Sequence, residues 1–324
     1  MTYILLLILL FSAEIVYFRI ADHFNIIDKP NERSSHISIT LRGGGIVFYI
    51  GVLLYFIIEG FQYPWFFYGL TLITVISFAD DIKPQSFILR LLIHLTALLF
   101  MFYQWQLFQY PWYFCILALI VCIGIINAYN FMDGINGITG VYSLVVLGAL
   151  WYINSYSVHF VDNNLIYIVM FSLVVFNFFN FRKRAKCFAG DVGALSIAFL
   201  IVFLLGLLIL KTHDFSYIIL LVVYGIDSIL TIVHRLILKE NIFFSHRKHV
   251  YQIMVNEMQI PHLIVSIFYA LLQTVIAIGY FVFKLHSYYY LIGIILILSL
   301  CYVLFMKKYF QLHKDSRKWV VSSR

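Results

Sequence analysis

The chain has 324 residues, of which 63% are hydrophobic and 11% charged, whereas soluble domains contain roughly 45 to 50% apolar and about 25% charged residues. This balance, together with long apolar blocks, excludes a soluble globule, a disordered chain, a collagen and a coiled coil. The net charge of +7 does not indicate a nucleic-acid partner, because the basic residues lie between apolar blocks and not on one solvated face. The composition predicts a polytopic membrane protein.

Apolar blocks long enough to cross a bilayer recur along the whole sequence. A membrane-spanning helix needs roughly 17 to 25 mostly apolar residues, and transmembrane strands would show alternating segments of about ten residues instead. We predict about eleven spans, with ten as the lower count. They cover residues 2–20, 44–60, 65–79, 88–104, 112–130, 138–153, 164–181, 192–210, 216–236, 262–283 and 288–306.

The chain is expected to form one all-α transmembrane helix bundle over residues 1–324. It contains no linker or internal repeat that would indicate a second domain. The first block runs on past Glu14 without a small-residue cleavage site, so we expect a retained span and not a removed signal peptide.

The positions of Lys and Arg predict the orientation of the spans, because cytoplasmic loops retain an excess of basic residues. Twenty of the 22 basic residues fall on one side, in segments 19–42, 83–90, 182–186, 235–248 and 307–324. Lys211 and Lys284 fall on the other side. We therefore expect an outward N-terminus, a cytoplasmic C-terminus and cytoplasmic polar clusters.

Aspartates lie at the cytoplasmic ends of several spans. Asp80 and Asp81 end the third span, and adjacent carboxylates at a membrane interface are stable mainly beside a cation or a phosphate-bound metal. Adjacent side chains on a helix diverge by about 100°, so the two are expected to have different roles. A solvated helix cap is the alternative interpretation.

Two further aspartates, Asp133 and Asp191, are flanked by glycines. Glycines allow close approach of another backbone or a ligand, and a carboxylate among glycines and cations suits Mg2+ held together with substrate phosphates. The alternative for Asp133 is a tight turn with glycine packing between helices.

The longest cytoplasmic loop, residues 235–261, carries His246, Arg247 and His249. Their donors can grip a pyrophosphate, while contact with lipid headgroups is the alternative. Arg42 precedes three glycines whose backbone N–H groups could point at an anion.

Asp227 lies inside the ninth span, about two turns from its cytoplasmic end. An intramembrane carboxylate by default faces a cavity or a partner. We expect Arg235 or a residue of the histidine loop to be that partner.

In their order along the chain, these motifs resemble those of the polyprenyl-phosphate N-acetylhexosamine-1-phosphate transferases, a superfamily that includes phospho-N-acetylmuramoyl-pentapeptide transferase and the dolichyl-phosphate enzyme. The matching pieces are DKPNERSSH with RGGG, FADD, NAYNFMDGING, FAGDVG, DSILTIVHR and SHRKHVYQ, between residues 28 and 252. The resemblance implies transfer of a sugar 1-phosphate from a UDP-sugar to undecaprenyl phosphate, with release of UMP, at the cytoplasmic face of the bacterial plasma (inner) membrane. It further implies that this step initiates a lipid-linked glycan such as O-antigen, lipopolysaccharide or cell-wall polysaccharide.

The resemblance also implies roles for individual residues. Asp80 and Asp81 are the implied catalytic pair, with Asp80 near the acceptor phosphate. Asp191 and Asp133 are the implied ligands of Mg2+, with Mn2+ as the alternative ion. The implied substrate-binding residues are Asn130, Asp133, Asn136, Arg42, His246, Arg247 and His249. The implied supporting residues are Asp227, Asn127 and Gly190. The implied partners are a UDP-N-acetylhexosamine, undecaprenyl phosphate, membrane lipid and, as an open alternative to a monomer, a second copy in a homodimer.

Two departures from the family pattern bear on the donor. Leu41 stands where many members have a proline, and SHRKH replaces a run of several histidines, as in the branch that initiates surface polysaccharides. The resemblance therefore favours N-acetylglucosamine or a 6-deoxy relative over a peptide-bearing muramoyl donor.

Two other classes of function are weighed against this one. An ion-coupled secondary transporter would use Asp227 in mid-membrane, but the polar groups cluster at one face and no pair of spans is broken by Gly and Pro at repeated positions. A catalytically inactive lipid-binding protein is disfavoured by the complete set of carboxylates.

Overall fold

The computed structural model describes residues 3–30, 35, 38–242 and 246–322, with side chains described as far as residue 311. Positions 31–34 and 36 of the first motif and position 245 of the last therefore lie outside the described residues. The described part is almost entirely helical, which confirms the predicted all-α membrane bundle.

The helices are numbered in chain order. They are α1 (Tyr3–His23), α2 (Ile46–Glu59), α3 (Pro64–Ile82), α4 (Phe87–Gln104), α5 (Trp112–Met132), α6 (Ile138–Tyr156), α7 (Asn163–Asn180), α8 (Gly190–Thr212), α9 (Val222–Ile237), α10 (Val250–Asn256), α11 (His262–Val282) and α12 (Ser287–Ser322). Short 3-10 helices cover Leu107–Gln109, Phe215–Leu221 and Lys284–His286. Between α1 and α2, the two-residue strands β1 (Ile27–Asp28) and β2 (Thr40–Leu41) pair antiparallel, with Ile27 opposite Leu41.

Ten helices of the described chain are long and apolar enough to cross a membrane, counting the 3-10 stretches before α9 and α12 with those helices. The protein is therefore a multi-pass membrane protein. The remaining predicted span, 44–60, corresponds to α2, which has 14 residues and is about 21 Å long at a rise of about 1.5 Å per residue.

Helix α2 nevertheless runs from one face of the bundle to the other. At its start, the backbone N–H of Gly45 donates to Ala189, just before α8. At its end, Glu59 accepts a hydrogen bond from Asn164 in the first turn of α7. The start of α2 therefore lies beside the start of α8 and its end beside the start of α7, although α2 is shorter than both neighbours.

Helix α8 is the centre of the bundle and the most buried of the candidate spans. It is apolar on all sides, as expected for a helix surrounded by others, and it packs against α2, α3, α5 and α6. Phe66 of α3 stacks on Phe203 of α8 with ring centroids 3.9 Å apart. Helices α1, α4, α5 and α12 are the least buried candidate spans.

Two helices and the short strand pair differ from the sequence prediction. Helix α10 was not predicted, because seven residues are too few to show an apolar period. Helix α12 extends to residue 322, beyond the predicted end at 306, because Met306 and Phe310 continue the apolar stripe and pack in one cluster with Ile253 of α10.

The loops meet at two opposite faces. At one face, the backbone N–H of Trp65 donates to Oε1 of Gln104, and Nζ of Lys284 lies 2.8 Å from Oδ2 of Asp214. At the other face, which we call the polar face, lie Asp80, Asp81, Asp133 and Asp191 with Arg42, and the described part of the histidine loop.

Candidate active site

The buried carboxylate of Asp81 is the centre of the polar face. It accepts hydrogen bonds from the backbone N–H groups of Asp191 (2.9 Å) and Val192 (3.0 Å), near the start of α8. Arg42, which follows β2, places its Nε 2.7 Å from Asp81 and its Nη2 3.2 Å from Asp191. Burial alone would lower the pKa of Arg42, but the neighbouring carboxylates outweigh burial and raise it. A charged guanidinium therefore joins the ends of α3 and α8.

Position 190 requires a glycine, because the start of α8, the end of α3 and the glycine run after Arg42 approach one another closely there. Its φ is +71°, and a Cβ there would lie 2.5 Å from Oδ2 of Asp81 and 2.8 Å from the backbone N of Gly43. A side chain at this position would be strained by the backbone conformation and would also displace the Asp81 carboxylate.

The glycine run after Arg42 serves packing. The N–H groups of Gly44 and Gly45 donate to the carbonyl oxygens of Phe188 (2.9 Å) and Ala189 (3.1 Å). Gly45 also contacts Gly193 so closely that neither could carry a side chain. These two N–H groups are therefore occupied, and the expectation that the run directs its amides toward an anion is wrong for them.

Asp80 points away from Asp81, as expected for adjacent helical residues. Its Oδ2 accepts a hydrogen bond from Arg90 Nη1 at 2.9 Å, and its Oδ1 accepts one from the backbone N–H of Gln85 at 2.6 Å. The Asp80 carboxyl group also interacts with that of Asp191. The two members of the pair thus have different partners, with Asp80 on the side of α4 and Asp81 on the side of α8.

Asp133 lies just after α5 and faces the same cluster. Thr139 donates to its Oδ1 at 2.7 Å. Loss of hydration raises the pKa of Asp133 to about 6, with a smaller contribution from the negative charge of Asp191, while Arg42 acts in the opposite direction. A cation between the two carboxylates would relieve both unfavourable effects.

The arrangement of Asp133 and Asp191 fits Mg2+ bound together with a phosphate. Among the residues that the structure describes, no three His, Cys, Asp or Glu side chains form a cation site by themselves. Mg2+ at phosphate sites commonly takes only one or two carboxylates and completes its octahedron with substrate oxygens and water. Three aspartates interact here, namely Asp80, Asp133 and Asp191, so the donor set suits a hard cation.

The asparagines of this region mainly hold the backbone. The Nδ2 of Asn136 donates to the carbonyl oxygen of Arg182 at 2.8 Å. Asn180, at the end of α7, accepts from the N–H of Gly137 at 2.7 Å and donates to the carbonyl oxygen of Cys187 at 2.8 Å. These contacts fix the loop before α8 against the segment that carries Asp133.

Asn130 and Asn127 lie on the last turns of α5. The carbonyl oxygen of Asn130 accepts from the N–H of Asp133, and its side chain is half-buried beside the cluster. Asn127 is exposed and donates to the carbonyl oxygen of Ile123, one turn back. The structure therefore places Asn130 three residues before Asp133 without a recorded side-chain contact to the cluster, and it leaves Asn127 on the outer surface of α5.

Asp227 fixes the histidine loop. Its Oδ1 lies 3.3 Å from Nδ1 of His249 and accepts the N–H of Val250 at 3.1 Å. Its Oδ2 accepts the hydroxyl of Tyr269 at 2.6 Å, and Thr231 donates to Oδ1 at 3.2 Å. Of the two partners expected from the sequence, the structure selects the histidine loop. A carboxylate with four protein partners does not resemble the free ion site that a transporter requires.

The orientation of His249 leaves one ring nitrogen without a partner. His249 is 2% exposed and, because Nδ1 faces Asp227, Nε2 points the other way. Nε2 is buried and has no hydrogen-bond partner among the described residues. A histidine held by a carboxylate at one nitrogen presents the other in a fixed direction.

The rest of the loop is a network of charges around Glu240. Lys248 and Arg235 both pair with Glu240, and Arg235 also donates to the carbonyl oxygen of Asn241. Loss of hydration and the nearby His249, Arg235 and Lys248 lower the pKa of His246 to about 3, so that this ring is neutral at physiological pH. Its Nδ1 accepts the N–H of Lys248, which leaves an N–H at Nε2 as a donor.

Tyr251 joins the histidine loop to the aspartate cluster. Its hydroxyl donates to the carbonyl oxygen of Phe131 at 2.9 Å, and it lies so close to Gly134 that no Cβ would fit there. Phe131 also stacks on His249. The two motifs, more than a hundred residues apart, therefore form one continuous surface. Arg247 lies half-buried on the same loop and makes no ion pair with the described residues.

We predict that Asp227→Asn lowers turnover about 10- to 100-fold, because a misplacement of about 1 Å at a site can reduce rates by such factors. The amide cannot accept all the hydrogen bonds that hold His249 and α10. Turnover and protease cleavage within residues 235–261 would be measured together, and we expect cleavage to increase. Tyr269→Phe, which removes one of the bonds, should give a smaller loss. Glu59→Gln at the opposite face should change neither, and equal losses in all three variants would contradict this role.

Sequence reasoning missed several residues of the site. Asn180 and Tyr251 hold the motifs together, and Arg90 pairs with Asp80. Asn180 and Arg90 could have been found from the sequence, because both are polar residues at the ends of apolar spans. Tyr251 gave no such signal, since a tyrosine near a membrane surface is ordinary.

Comparison with known proteins shows which proteins this chain is similar to. A family model described as glycosyl transferase family 4 matches residues 63–209, the part that contains Asp80, Asp81, Asp133 and Asp191. The chain is 26% identical over 259 residues to a probable undecaprenyl-phosphate N-acetylglucosaminyl 1-phosphate transferase of Bacillus subtilis, covering 72% of this chain and 70% of that protein.

Two further relatives carry a similar name. The undecaprenyl-phosphate alpha-N-acetylglucosaminyl 1-phosphate transferase of Escherichia coli K12 is 25% identical over 283 residues, which cover 78% of this chain and 76% of that protein. The protein of the same name from Yersinia pestis is 26% identical over 223 residues, which cover 62% of this chain and 61% of that protein. With its ordered motifs gathered at one face of a helical membrane bundle, the chain resembles the polyprenyl-phosphate N-acetylhexosamine-1-phosphate transferases, and the family model and the named relatives support this resemblance.

Proposed function

We propose that the protein transfers N-acetylglucosamine 1-phosphate, or that of a 6-deoxy relative, from a UDP-sugar to undecaprenyl phosphate at the cytoplasmic face of the bacterial plasma membrane. The reaction releases UMP and initiates a lipid-linked glycan of the O-antigen, lipopolysaccharide or cell-wall polysaccharide type. The observation that supports it best is the cluster of Asp80, Asp81, Asp133 and Asp191 with Arg42 at one membrane face. The names of the relatives support the acceptor and the sugar.

The net reaction is a phosphoryl transfer. An oxygen of the lipid phosphate forms a bond to the phosphorus that carries the sugar, and the bond from this phosphorus to the oxygen of UMP breaks. Such transfers depend chiefly on positioning and on neutralisation of charge. Mg2+, held by Asp191 and Asp133, would supply the main positive charge on the diphosphate.

The chain's own residues position the two substrates. Arg42 fixes Asp81 and Asp191 relative to each other. His246 offers an N–H at Nε2 and His249 directs its unpaired Nε2 away from Asp227, so both can contact the phosphates or the sugar of the donor. Asp80, at the edge toward α4, is the carboxylate placed to meet a phosphate that arrives from the bilayer.

The test is release of UMP by the purified protein, given undecaprenyl phosphate, Mg2+ and a panel of UDP-N-acetylhexosamines. We expect release that depends on the lipid, is lost on chelation of Mg2+ and is lost in Asp191→Ala. The donor that gives the highest kcat/KM identifies the sugar. Release from no donor in folded protein, or undiminished release in Asp191→Ala, would contradict the proposal.

A further inference from the structure

Helix α12 is longer than a membrane crossing requires. It has 36 residues and is about 54 Å long at a rise of about 1.5 Å per residue, whereas the hydrocarbon core of a bilayer is about 30 Å thick. The exposed Lys307 and Lys308 end its apolar sequence, yet Phe310 beyond them is buried, as is Met306 one turn earlier. Side chains this buried are covered by other parts of the protein.

The end of α12 packs on the histidine loop and on the helices at either side of that loop. The ring of Phe310 lies 4.5 Å from the ring of His234 in α9, measured between centroids, and it belongs to one apolar cluster with Ile253 of α10. About two turns earlier, the hydroxyl oxygens of Tyr302 and Thr231 of α9 are 3.1 Å apart. The end of α12 is therefore fixed to α9 and α10, the two helices between which the histidine loop runs.

Phe310 also covers the ammonium group of Lys248. The Nζ of Lys248 lies 5.7 Å from the centroid of the Phe310 ring, a distance at which a cation is attracted to the face of an aromatic ring. The side chain of Lys248 is only 4% exposed, and lysines are almost never this buried unless their charge is paired. Glu240 supplies the opposite charge, and Phe310 supplies the aromatic face.

Lys248 in turn lies between the two histidines of the loop. Its backbone N–H donates to Nδ1 of His246 at 3.3 Å. The next residue is His249, whose ring centroid lies 4.9 Å from that of His246. A displacement of Lys248 would therefore move both rings, which are the groups that offer their Nε2 atoms to the donor in the function proposed above.

We propose that Phe310 is a positioning residue for the diphosphate of the UDP-sugar, because it fixes Lys248 and thereby the two histidine rings. The inference rests on the proposed function and adds to it a part of α12 that lies outside the carboxylate cluster. The contacts of Phe310 fall on α9, α10 and the histidine loop, whereas Asp80 lies at the edge toward α4. Loss of the Phe310 ring should therefore weaken binding of the donor and leave binding of the lipid acceptor unchanged.

Titration of UDP in the presence of Mg2+ tests this role without turnover, because every donor in the panel contains UDP. Phe310→Ala should weaken binding about 5- to 30-fold, as expected for the loss of a desolvated contact between a cation and an aromatic ring. Phe310→Leu, which keeps apolar volume without an aromatic face, should show a smaller loss, and Phe310→Tyr should bind nearly as wild type does. Leu304→Ala is the matched control, because Leu304 is 57% exposed on the same helix, and it should bind UDP as tightly as wild type.

A double variant tests whether Phe310 acts through Lys248. The loss of UDP binding in Phe310→Ala combined with Lys248→Met should be close to the loss in Lys248→Met alone, since the effects of residues in contact do not add. Losses that multiply would overturn the inference. If Phe310→Ala does not fold, Phe310→Leu carries the same comparison with a smaller expected shift.

Kinetics separate this role from a general contribution of Phe310 to stability. In Phe310→Ala, the KM for the UDP-sugar should rise while the KM for undecaprenyl phosphate stays within about twofold. An equal rise in both constants, or a lower kcat with unchanged KM for the UDP-sugar, would overturn the inference. So would equal binding of UDP by Phe310→Ala and wild type. Wild-type protein that binds UDP through Phe310 but releases UMP from no donor would instead contradict the proposed function alone.

Discussion

Asp81→Asn is expected to abolish transfer and to destabilise the protein. The carboxylate receives two backbone N–H groups of α8 and the guanidinium of Arg42, and its side chain is fully buried. Removing one partner of a buried ion pair costs about 3 to 5 kcal/mol, and we expect the lower end because Arg42 remains 32% exposed. Turnover should fall by about 10³-fold or more, since a single preorganised electrostatic contact is often worth about 10² to 10³. UMP release and thermal unfolding in detergent would be measured on the same preparation.

Asp80→Asn should separate the two effects. The pair of Asp80 and Arg90 is partly exposed, so the change in stability should stay below about 1 kcal/mol, while turnover falls as steeply as in Asp81→Asn. Asp22→Asn, an exposed aspartate on α1 at the same face, is the matched control and should change neither quantity. Near-normal turnover in both site variants would show that the reaction centre lies elsewhere.

Gly190→Ala is the second substitution from which we expect a large effect. The positive φ costs an L-residue roughly 1 to 2 kcal/mol, and the added methyl group would meet both Asp81 and the backbone of Gly43. Because the carboxylate must shift, turnover should drop by about 10²-fold. The measurement is turnover together with the unfolding temperature.

Gly148→Ala provides the matched control for this change. Gly148 lies in α6 and a Cβ there would meet nothing within 4 Å. Since alanine is favoured over glycine in a helix, stability should stay equal or rise by up to about 1 kcal/mol, and turnover should not change. If both alanine variants behaved alike, close packing around Gly190 would not be what positions Asp81.

The sequence predicted the helical class and the clustering of the polar groups at one face of the bundle, because both follow from apolar block length and from basic residues between blocks. Which side of the membrane this face occupies stays a prediction. It also predicted that Asp80 and Asp81 diverge, since this is a property of the helix itself. The partner of Asp227 could be narrowed only to Arg235 or the histidine loop. The choice depends on how α9 and α10 pack, and no local pattern encodes that packing.

What the sequence could not provide were contacts between distant segments. The role of the glycines after Arg42 was predicted wrongly for Gly44 and Gly45, because whether their N–H groups face solvent or the loop before α8 depends on tertiary structure. The contact of Phe310 with Lys248 likewise depends on how α12 packs against the histidine loop. The sequence shows which side chains can donate or accept hydrogen bonds, but only the structure shows whether each of them has a partner.

The two hydrogen bonds from the start of α8 to Asp81 couple membrane folding to the formation of the reaction centre. Helix α8 is the most buried candidate span, and two backbone N–H groups near its start donate to the Asp81 side chain of α3. The carboxylate of Asp81 therefore reaches its final position only when α3 and α8 pack together. During synthesis, Arg42 and α3 emerge first, and Asp81 lacks its two backbone donors until α8 has been made. Helices α9 and α10, which bring Asp227 and His249, follow later. We therefore expect the carboxylate cluster to assemble before the histidine loop packs beside it. A substitution that weakens the contact between α3 and α8 should then impair folding of the protein, even when the substituted residue belongs to the reaction centre.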